Sequence, residues 1–176
     1  MEHFYENIPG FMSANNIKCF DHIISKIKND NITWVELGSY GGKSTAYCVV
    51  ELLKHKYTFD FYCIDLWKNG MQETFEDQII PIKDHIVWRK NFSHAEANNF
   101  QDASIDICYV DADHSYESVK KDLNAWWPKL KPGAVFFGDD YTKGFPGVGK
   151  AVKEFFTPKN IRVTKIGRCW VVTKPK

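Results

Sequence analysis

Residues 35–45 constrain the fold more than any other part of this sequence. They read Val-Glu-Leu-Gly-Ser-Tyr-Gly-Gly-Lys-Ser-Thr. Residues 32–37 form an apolar run of strand length, and residues 44–56 have the length and apolar spacing of a helix. A strand, a glycine-rich turn and a helix in this order direct free backbone N–H groups and the positive end of a helix at a polar ligand. The sequence therefore predicts a ligand site at this turn.

The glycine spacing separates three classes of ligand. A nucleoside-triphosphate loop has the pattern G-x-x-x-x-G-K-[ST], but Leu37 occupies the position of its first glycine. A dinucleotide fingerprint has the pattern G-x-G-x-x-G, and Tyr40 replaces its second glycine. The remaining pattern places Glu36 at the strand end, where it would repel a phosphate and attract an ammonium group. A ligand with an amino-acid end fits this turn best.

Residues 36–42, Glu-Leu-Gly-Ser-Tyr-Gly-Gly, resemble motif I of class I S-adenosylmethionine-dependent methyltransferases. The resemblance implies S-adenosylmethionine as the cofactor. It also implies a cofactor-binding turn that consists of Glu36, Gly38, Ser39, Tyr40, Gly42 and Ser44. Taken alone, this stretch equally fits an ordinary glycine-rich connection between a strand and a helix, so the rest of the chain must decide.

A second predicted strand, residues 59–65, ends in an acid, Asp65. In a doubly wound sheet, the carboxylate at the end of the second strand lies beside the first strand and can accept both hydroxyl groups of a ribose. We therefore expect Asp65 to bind the ribose, with Leu66 and Trp67 beside the nucleoside. The resembling family contacts the adenine after the third strand, which implies a role for Ser93. The alternative for Ser93 is a loop hydroxyl that satisfies its own backbone.

Two acidic clusters follow later strands of the predicted sheet. A strand that ends at Val110 continues into Asp-Ala-Asp-His at residues 111–114. A helix follows and is closed by Lys-Pro-Gly at residues 131–133, and a strand from Ala134 then continues into Asp-Asp-Tyr at residues 139–141. Because the carboxyl ends of parallel strands meet at one edge of a sheet, we expect the two clusters to face each other.

This second region resembles small-molecule O-methyltransferases, a branch of class I that includes macrocin O-methyltransferase-like enzymes. The resemblance lies in D-A-D-H-S-Y-E, L-K-P-G-A-V and D-D-Y, in that order. It implies a divalent cation such as Mg²⁺ bound by Asp111, Asp139 and Asp140, with Asp113 or His114 as the general base. Carboxylate oxygens suit Mg²⁺, and a bound cation lowers the pKa of an acceptor hydroxyl. Asp111 would also lie against the cofactor.

A structural interpretation of the same acids stays open. Asp113 can cap the following helix, residues 139–140 can end a strand in a turn, and His114 can hydrogen-bond within its loop. The sequence also departs from the family in two respects. Tyr40 interrupts the G-x-G-x-G form of motif I, and the chain is short, without the additional helices that shape acceptor pockets in larger relatives.

Composition and charge exclude several classes of protein. The 176 residues carry a formal net charge of +1, so the chain as a whole is no polyanion binder. Residues 143–176 hold nine Lys or Arg against one acid, which more often marks a solvated face than a nucleic-acid site.

No leader and no apolar run of about 20 residues is present, so we expect a soluble, cytoplasmic protein without a membrane partner. Five widely spaced cysteines predict buried free thiols: Cys19, Cys48, Cys63, Cys108 and Cys169.

These patterns predict an α/β fold with a doubly wound, mostly parallel seven-stranded sheet, helices on both faces and an antiparallel last strand. A single domain would span residues 1–176, with an N-terminal arm and a helix in residues 1–30. The third strand is expected at residues 85–89, and the closing strands at residues 161–164 and 168–173.

The expected function is methyl transfer from S-adenosylmethionine to a small acceptor molecule, with a hydroxyl group as the methyl acceptor. An RNA methyltransferase, favoured only by the basic tail, and a non-catalytic S-adenosylmethionine-binding module are the alternatives. We expect no nucleic-acid partner, and self-association of the chain stays open.

Overall fold

The computed structural model describes residues 1–28 and 30–176. Across these residues, one sheet contains the strands β1 (Asn31–Leu37), β2 (Thr58–Asp65), β3 (Ile86–Lys90), β4 (Ile105–Val110), β5 (Leu130–Gly138), β6 (Thr164–Ile166) and β7 (Cys169–Thr173). Their order in the sheet is β3-β2-β1-β4-β5-β7-β6. The first five strands are parallel, and β7 is antiparallel to both of its neighbours. The expected fold class is therefore confirmed.

Helices cover both faces of the sheet. In the described residues these are α1 (Ala14–Ile24), α2 (Lys43–Lys54), α3 (Met71–Gln78), α4 (Ser93–Glu96), α5 (Tyr116–Trp126) and α6 (Pro146–Phe156). One core cluster contains side chains of α1, α2 and α3, and a second contains side chains of α5 and α6. Successive residues of β1 alternate between them, since Trp34 belongs to the first cluster and Val35 to the second. This two-sided burial explains why β1 is apolar along most of its length.

The boundaries of β1 to β4 agree with the sequence-based expectations to within one residue, but β5 begins earlier than expected. Residues 131–133 are part of β5 rather than a stop after the preceding helix. Two non-local contacts hold this segment in the sheet: the Gly133 N–H donates to the Lys174 carbonyl over 2.9 Å, and Lys131 Nζ lies 2.7 Å from Asp106 Oδ2. Because both partners are distant in sequence, the local Lys-Pro-Gly signal was misleading.

The closing hairpin and the first helix also differ from expectation. β6 begins at Thr164 rather than at Ile161. The Ile161 N–H instead donates to the Phe156 carbonyl over 3.2 Å and so completes the end of α6. Helix α1 ends at Ile24, well before residues 29–30, and Asn29 itself lies outside the described residues.

All five cysteines are buried free thiols, as expected. In the part of the chain that the structure describes, the helices lack the length and apolar character that crossing a bilayer requires.

Asp122 is a buried acid on α5, whereas the acidic clusters of this chain follow the ends of strands. Asp122 is 1% exposed, and its Oδ1 accepts a hydrogen bond from Ser93 Oγ over 2.6 Å. Within the described residues its Oδ2 has no hydrogen-bond partner. Burial raises the pKa of Asp122 to about 7, because an ionised carboxylate is costly without water or a positive neighbour.

Replacing Asp122 by Asn should reduce the pH dependence of stability. The unfolded chain ionises this carboxyl at about pH 4, whereas the folded chain holds the proton up to about pH 7. Between these values the folded state binds more protons. The contribution of Asp122 to the free energy of unfolding therefore falls as the pH rises, by at most about 1.4 kcal/mol per pH unit. The stabilising contribution of protonated Asp122 is fully present below about pH 4 and is lost above about pH 7.

Urea unfolding at a series of pH values from acid to neutral measures this effect. The Asp122→Asn variant should gain stability over the wild type as the pH rises toward neutrality, since the amide does not ionise and can still accept from Ser93. Asp102→Asn is the matched control because the Asp102 side chain is 71% exposed. Equal pH slopes for the wild type and D122N would contradict the prediction.

Candidate active site

The carboxyl ends of β1 and β4 meet at Gly38. Its φ of 90° lies in the left-handed region, and a Cβ atom there would lie 2.1 Å from the carbonyl oxygen of Asp111. A backbone hydrogen bond of 2.8 Å from the Asp111 N–H to the Leu37 carbonyl joins β4 to β1. A second one, also of 2.8 Å, from the Gly38 N–H to the Ile64 carbonyl joins β1 to β2. Because only glycine leaves room for this approach, the ends of β2, β1 and β4 converge beside it.

The turn after Gly38 leads directly into α2. Gly42 precedes the helix with a φ of 88°, and a Cβ atom there would lie 2.8 Å from Ile79 Cγ2. Ser39 is buried, whereas the Tyr40 side chain is 53% exposed. The backbone of this turn is thus held by the core, and Tyr40 presents its ring at the surface.

Glu36 lies in the interior at the start of α2. It is 1% exposed, and its two carboxylate oxygens accept hydrogen bonds from the hydroxyl groups of Ser44, over 2.5 Å, and Thr45. Burial raises the pKa of Glu36, and the hydroxyl donors oppose this shift. A negative charge at a helix N-terminus is also favourable. Glu36 therefore ties β1 to α2, and the contribution of Thr45 was not expected from the sequence.

Asp65 holds the glycine turn against the end of β2. Its Oδ2 accepts from the Tyr40 N–H and its Oδ1 accepts from the Trp67 N–H, each over 2.8 Å. A carboxylate oxygen can accept a second hydrogen bond, and Asp65 is half-buried, so both oxygens retain capacity for a hydroxyl group. The position at the end of β2 is the one expected for ribose binding.

Trp67 is a core residue, which does not fit the expectation that its ring stacks beside a nucleoside. The side chain is 1% exposed, and its ring centroid lies 4.7 Å from that of Phe75. The indole N–H donates to the Tyr40 carbonyl over 2.9 Å. The Trp67 ring is thus buried in the core and hydrogen-bonded to the glycine turn. Its neighbour Leu66 is half-buried.

The segment expected to contact adenine lies next to Asp65. The Asn91 N–H donates to the Asp65 carbonyl over 3.1 Å, and Ser93 begins α4 two residues later. The Ser93 hydroxyl donates to Asp122, and the indole N–H of Trp126 donates to the Ser93 carbonyl over 3.0 Å. Ser93 is therefore fixed against α5 rather than bonded within its own loop.

The two acidic clusters face each other at the ends of β4 and β5. One side-chain ligand atom each of Asp111, His114 and Asp140 lies within 4.8 Å of the others. His114 Nε2 is 2.7 Å from Asp140 Oδ2 and 4.0 Å from Asp111 Oδ1. The Phe145 ring packs on His114 with a centroid distance of 4.8 Å. The structure thus brings together an imidazole and two carboxylates at one point of the sheet edge.

Burial changes the protonation of this group. It raises the pKa of Asp111 well above its usual range, and the negative charge of Asp139 adds to the effect. The Tyr109 hydroxyl, which donates to Asp111 Oδ2 over 2.9 Å, opposes it. Burial lowers the pKa of His114 below its usual value, so the imidazole is neutral at neutral pH.

Arg168 is a residue of this site that the sequence did not reveal. Its Nε donates to Asp139 Oδ1 over 2.8 Å, and its Nη2 contacts Asp140 Oδ1. The carboxylate of Asp139 also accepts from the Cys169 thiol over 3.8 Å. The only local signal was a basic residue at the start of the predicted last strand, and the pairing of β7 with β5 places it beside the acids.

These contacts test the expected Mg²⁺ ligands. The carboxylate of Asp139 is directed at Arg168. The three side chains whose ligand atoms lie close together are those of Asp111, His114 and Asp140, so His114 occupies the position expected for Asp139. Asp140 is also paired on both sides, since its Oδ2 lies 2.7 Å from His114 Nε2 and its Oδ1 is in ion-pair contact with Arg168. Within the described residues Oδ1 accepts no hydrogen bond. A divalent ion held by Asp111, Asp139 and Asp140 does not fit this arrangement, because it would have to displace Arg168.

Asp113, the other expected general base, lies in the loop before α5. It is exposed, and its Oδ1 accepts from the Ser115 N–H over 2.7 Å. Hydrogen bonds from the Ser115 side chain and from this N–H lower the pKa of Asp113. Ser115 in turn caps α5, since its hydroxyl accepts from the Ser118 N–H over 3.3 Å. Asp113 still lines the small pocket formed by Asp111, His114, Asp139 and Asp140. Its carboxylate is a weaker base than His114 and is engaged in the turn.

Comparison with known proteins identifies relatives of this chain. A family described as a methyltransferase domain matches residues 35–141, the stretch that carries the sequence motifs. The uncharacterized protein R132 of Acanthamoeba polyphaga mimivirus is 23% identical over 147 residues, which cover 77% of this chain. The aligned part spans 63% of the length of that relative.

Solved structures share the fold. The O-methyltransferase NovP superposes with a TM-score of 0.73 at 12% identity, over 92% of this chain and 80% of that chain. An O-methyltransferase from Bacillus cereus, in complex with SAH, superposes with a TM-score of 0.71 at 15% identity, over 96% of this chain and 86% of that chain. At these identities the likeness establishes the fold.

Replacing Gly38 by Ala should destabilise the chain more than a comparable replacement elsewhere. Gly133 is the matched control, because its φ of 85° is similar and a Cβ atom there would meet nothing within 4 Å. Gly133→Ala should cost about 1–2 kcal/mol for the left-handed conformation alone. Gly38→Ala should cost about 1–3 kcal/mol more, because the methyl group collides with the Asp111 backbone.

Urea unfolding of both variants measures the difference in the free energy of unfolding. Circular dichroism at low temperature shows whether each variant folds. Equal losses in the two variants would contradict the close approach of β1 and β4 at Gly38.

Proposed function

Because this chain belongs to the methyltransferase-domain family, we propose that it transfers a methyl group from S-adenosylmethionine to a hydroxyl oxygen of a small acceptor molecule. The observation that carries the proposal is the His114–Asp140 pair at the ends of β4 and β5, which lies beside the glycine turn. A base and a nucleoside-type binding turn at one sheet edge are what methyl transfer to a protonated oxygen requires.

The cofactor would lie across the carboxyl ends of β1 and β2. Gly38 and the turn after it would receive the amino-acid end, with Glu36 beneath them, and the free lone pairs of Asp65 would accept from the ribose hydroxyls. Ser93 begins α4 two residues after Asn91, whose N–H donates to the Asp65 carbonyl, and an adenine would extend toward this segment. The Bacillus cereus relative, described as an O-methyltransferase in complex with SAH, supports a cofactor of this type.

The reaction needs alignment and a base. The acceptor oxygen attacks the methyl carbon in line with the sulfonium, so the O–C bond forms as the C–S bond breaks and S-adenosylhomocysteine leaves. A hydroxyl group is protonated at neutral pH, so its proton must be removed during attack. When His114 is neutral and its Nε2–H donates to Asp140 Oδ2, Nδ1 carries the lone pair that accepts this proton. Asp140 holds the ring and stabilises the imidazolium that forms.

Two other functions use the same site differently. A non-catalytic S-adenosylmethionine-binding module would bind the cofactor without using His114. An RNA methyltransferase would use the basic residues of 143–176, whereas the proposed small acceptor would enter beside Phe145, which packs on His114.

Cofactor binding is tested by calorimetric titration with S-adenosylhomocysteine. Asp65→Ala should weaken binding by about 1–3 kcal/mol, roughly 5–150-fold, because charge-assisted hydrogen bonds to the ribose are lost. Asp60→Ala, an exposed acid on the same strand, is the control and should bind as the wild type does. An unchanged affinity in D65A would remove Asp65 from the cofactor site.

Catalysis is tested by screening hydroxyl compounds, sugars and phenols among them, for release of S-adenosylhomocysteine. His114→Gln should lose about 10²–10⁴-fold in turnover, because the general base is removed. Its affinity for S-adenosylhomocysteine should be retained, since the cofactor lies on β1 and β2. His55→Gln, exposed at the end of α2, serves as the control.

Asp113→Asn decides between the two candidate bases. If Asp113→Asn loses about 10²–10⁴-fold in turnover while His114→Gln stays active, the base is Asp113 and the assignment to His114 is wrong. Binding of S-adenosylhomocysteine without turnover of any acceptor would favour the non-catalytic module.

A further inference from the structure

Arg168, in the turn of the β6–β7 hairpin, connects two buried acids. Arg168 donates through Nε to Asp139, contacts Asp140 through Nη2, and accepts from the Tyr141 N–H with its own carbonyl over 2.8 Å. The side chains of Asp139 and Asp140 are 7% and 6% exposed, whereas that of Arg168 is 33% exposed. The guanidinium therefore covers both carboxylates from the solvent side.

The acids at this edge need a positive neighbour. Asp111, Asp139 and Asp140 lie at the ends of two adjacent strands, and burial of several carboxylates together is unfavourable because they repel one another. A guanidinium carries a permanent charge and presents several donors in a rigid plane, so it can engage two acids at once. Arg168 also opposes the rise in the pKa of Asp111.

The position of Arg168 is built into the fold. A Cβ atom on Gly167 would lie 2.7 Å from the Cβ of Asn15, so the hairpin turn is pressed against the first turn of α1. Asn16 Nδ2 contacts the sulfur of Cys169 over 3.9 Å on the other side of Arg168. The backbone on both sides of Arg168 is thus held by α1, and its guanidinium is directed at the acids.

We propose that Arg168 is the resident cation of this site: it takes the place of a divalent metal ion beside Asp139 and Asp140 and aims Asp140 at His114. The proposal rests on the proposed function, in which Asp140 holds His114. Arg168 is a positioning residue, since it acts on the acceptor through Asp140 and His114. With Arg168 in place, a divalent ion would meet a positive charge beside Asp139 and Asp140, and it would have to compete with His114 for Asp140 Oδ2.

The proposal predicts the metal affinity of the unliganded chain. Titration with Mn²⁺, followed by the electron paramagnetic resonance signal of the free ion, should detect no stoichiometric site in the wild type. Arg168→Gln should bind Mn²⁺ at least about tenfold more tightly, because two buried carboxylates lose their positive partner. Arg168→Lys retains the charge and should resemble the wild type. Arg162→Gln, exposed in the same basic segment, is the matched control and should also be unchanged.

These outcomes do not depend on turnover, so they separate this inference from the proposed function. A stoichiometric Mn²⁺ site in the wild type, no tighter in R168Q, would overturn the role of Arg168 even if methyl transfer is found. If R168Q does not fold, the wild type and R168K still decide, because a stoichiometric site in either contradicts the proposal. Once an acceptor is identified, excess chelator should leave wild-type turnover unchanged, and a loss of turnover would likewise overturn the proposal.

Discussion

A side chain at Gly38 would collide with the backbone of Asp111, and this contact sets the geometry of the whole sheet edge. Because no side chain separates them, the ends of β1 and β4 come close enough for direct backbone hydrogen bonds. The chain leaves β1 toward β2 on one side, while β4 and β5 lie on the other. Such a change of direction opens a crevice at the carboxyl ends of the strands, and the candidate site residues lie around it.

Buried acids are the second constraint at this edge, and each is stabilised by a different kind of neighbour. Glu36 accepts from two hydroxyl groups at the start of α2, and Asp111 accepts from a tyrosine hydroxyl. Asp140 lies between His114 and Arg168. A buried carboxylate without such partners would cost several kcal/mol. The partners therefore offset part of this cost and fix the directions of the carboxyl groups, which is the preorganisation that alignment of two reactants requires.

The residues of the proposed cofactor site differ from those of the proposed chemistry in how they are held. Gly38 and Asp65 are positioned by backbone contacts within the parallel part of the sheet. His114 depends on Asp140, whose carboxylate depends on Arg168 at the antiparallel edge. Loss of the contact between Arg168 and Asp140 would thus change the position of His114 and leave β1 and β2 unchanged. From this division we expect that substitutions can alter cofactor binding and turnover separately.

The sequence by itself determined the fold class and the edge of the sheet at which the site lies. Four acids lie at or directly after the end of a run of strand length: Glu36, Asp65, Asp111 and Asp139. Because parallel strands end at the same edge, the meeting of these acids follows from local pattern and chain order. Only the tertiary structure decided which side chains touch. Trp67 was buried rather than exposed, and Arg168 reached the acids because β7 pairs with β5. Such contacts join residues far apart in the chain, and periodicity and spacing carry no information about the direction in which a side chain points once distant strands have paired.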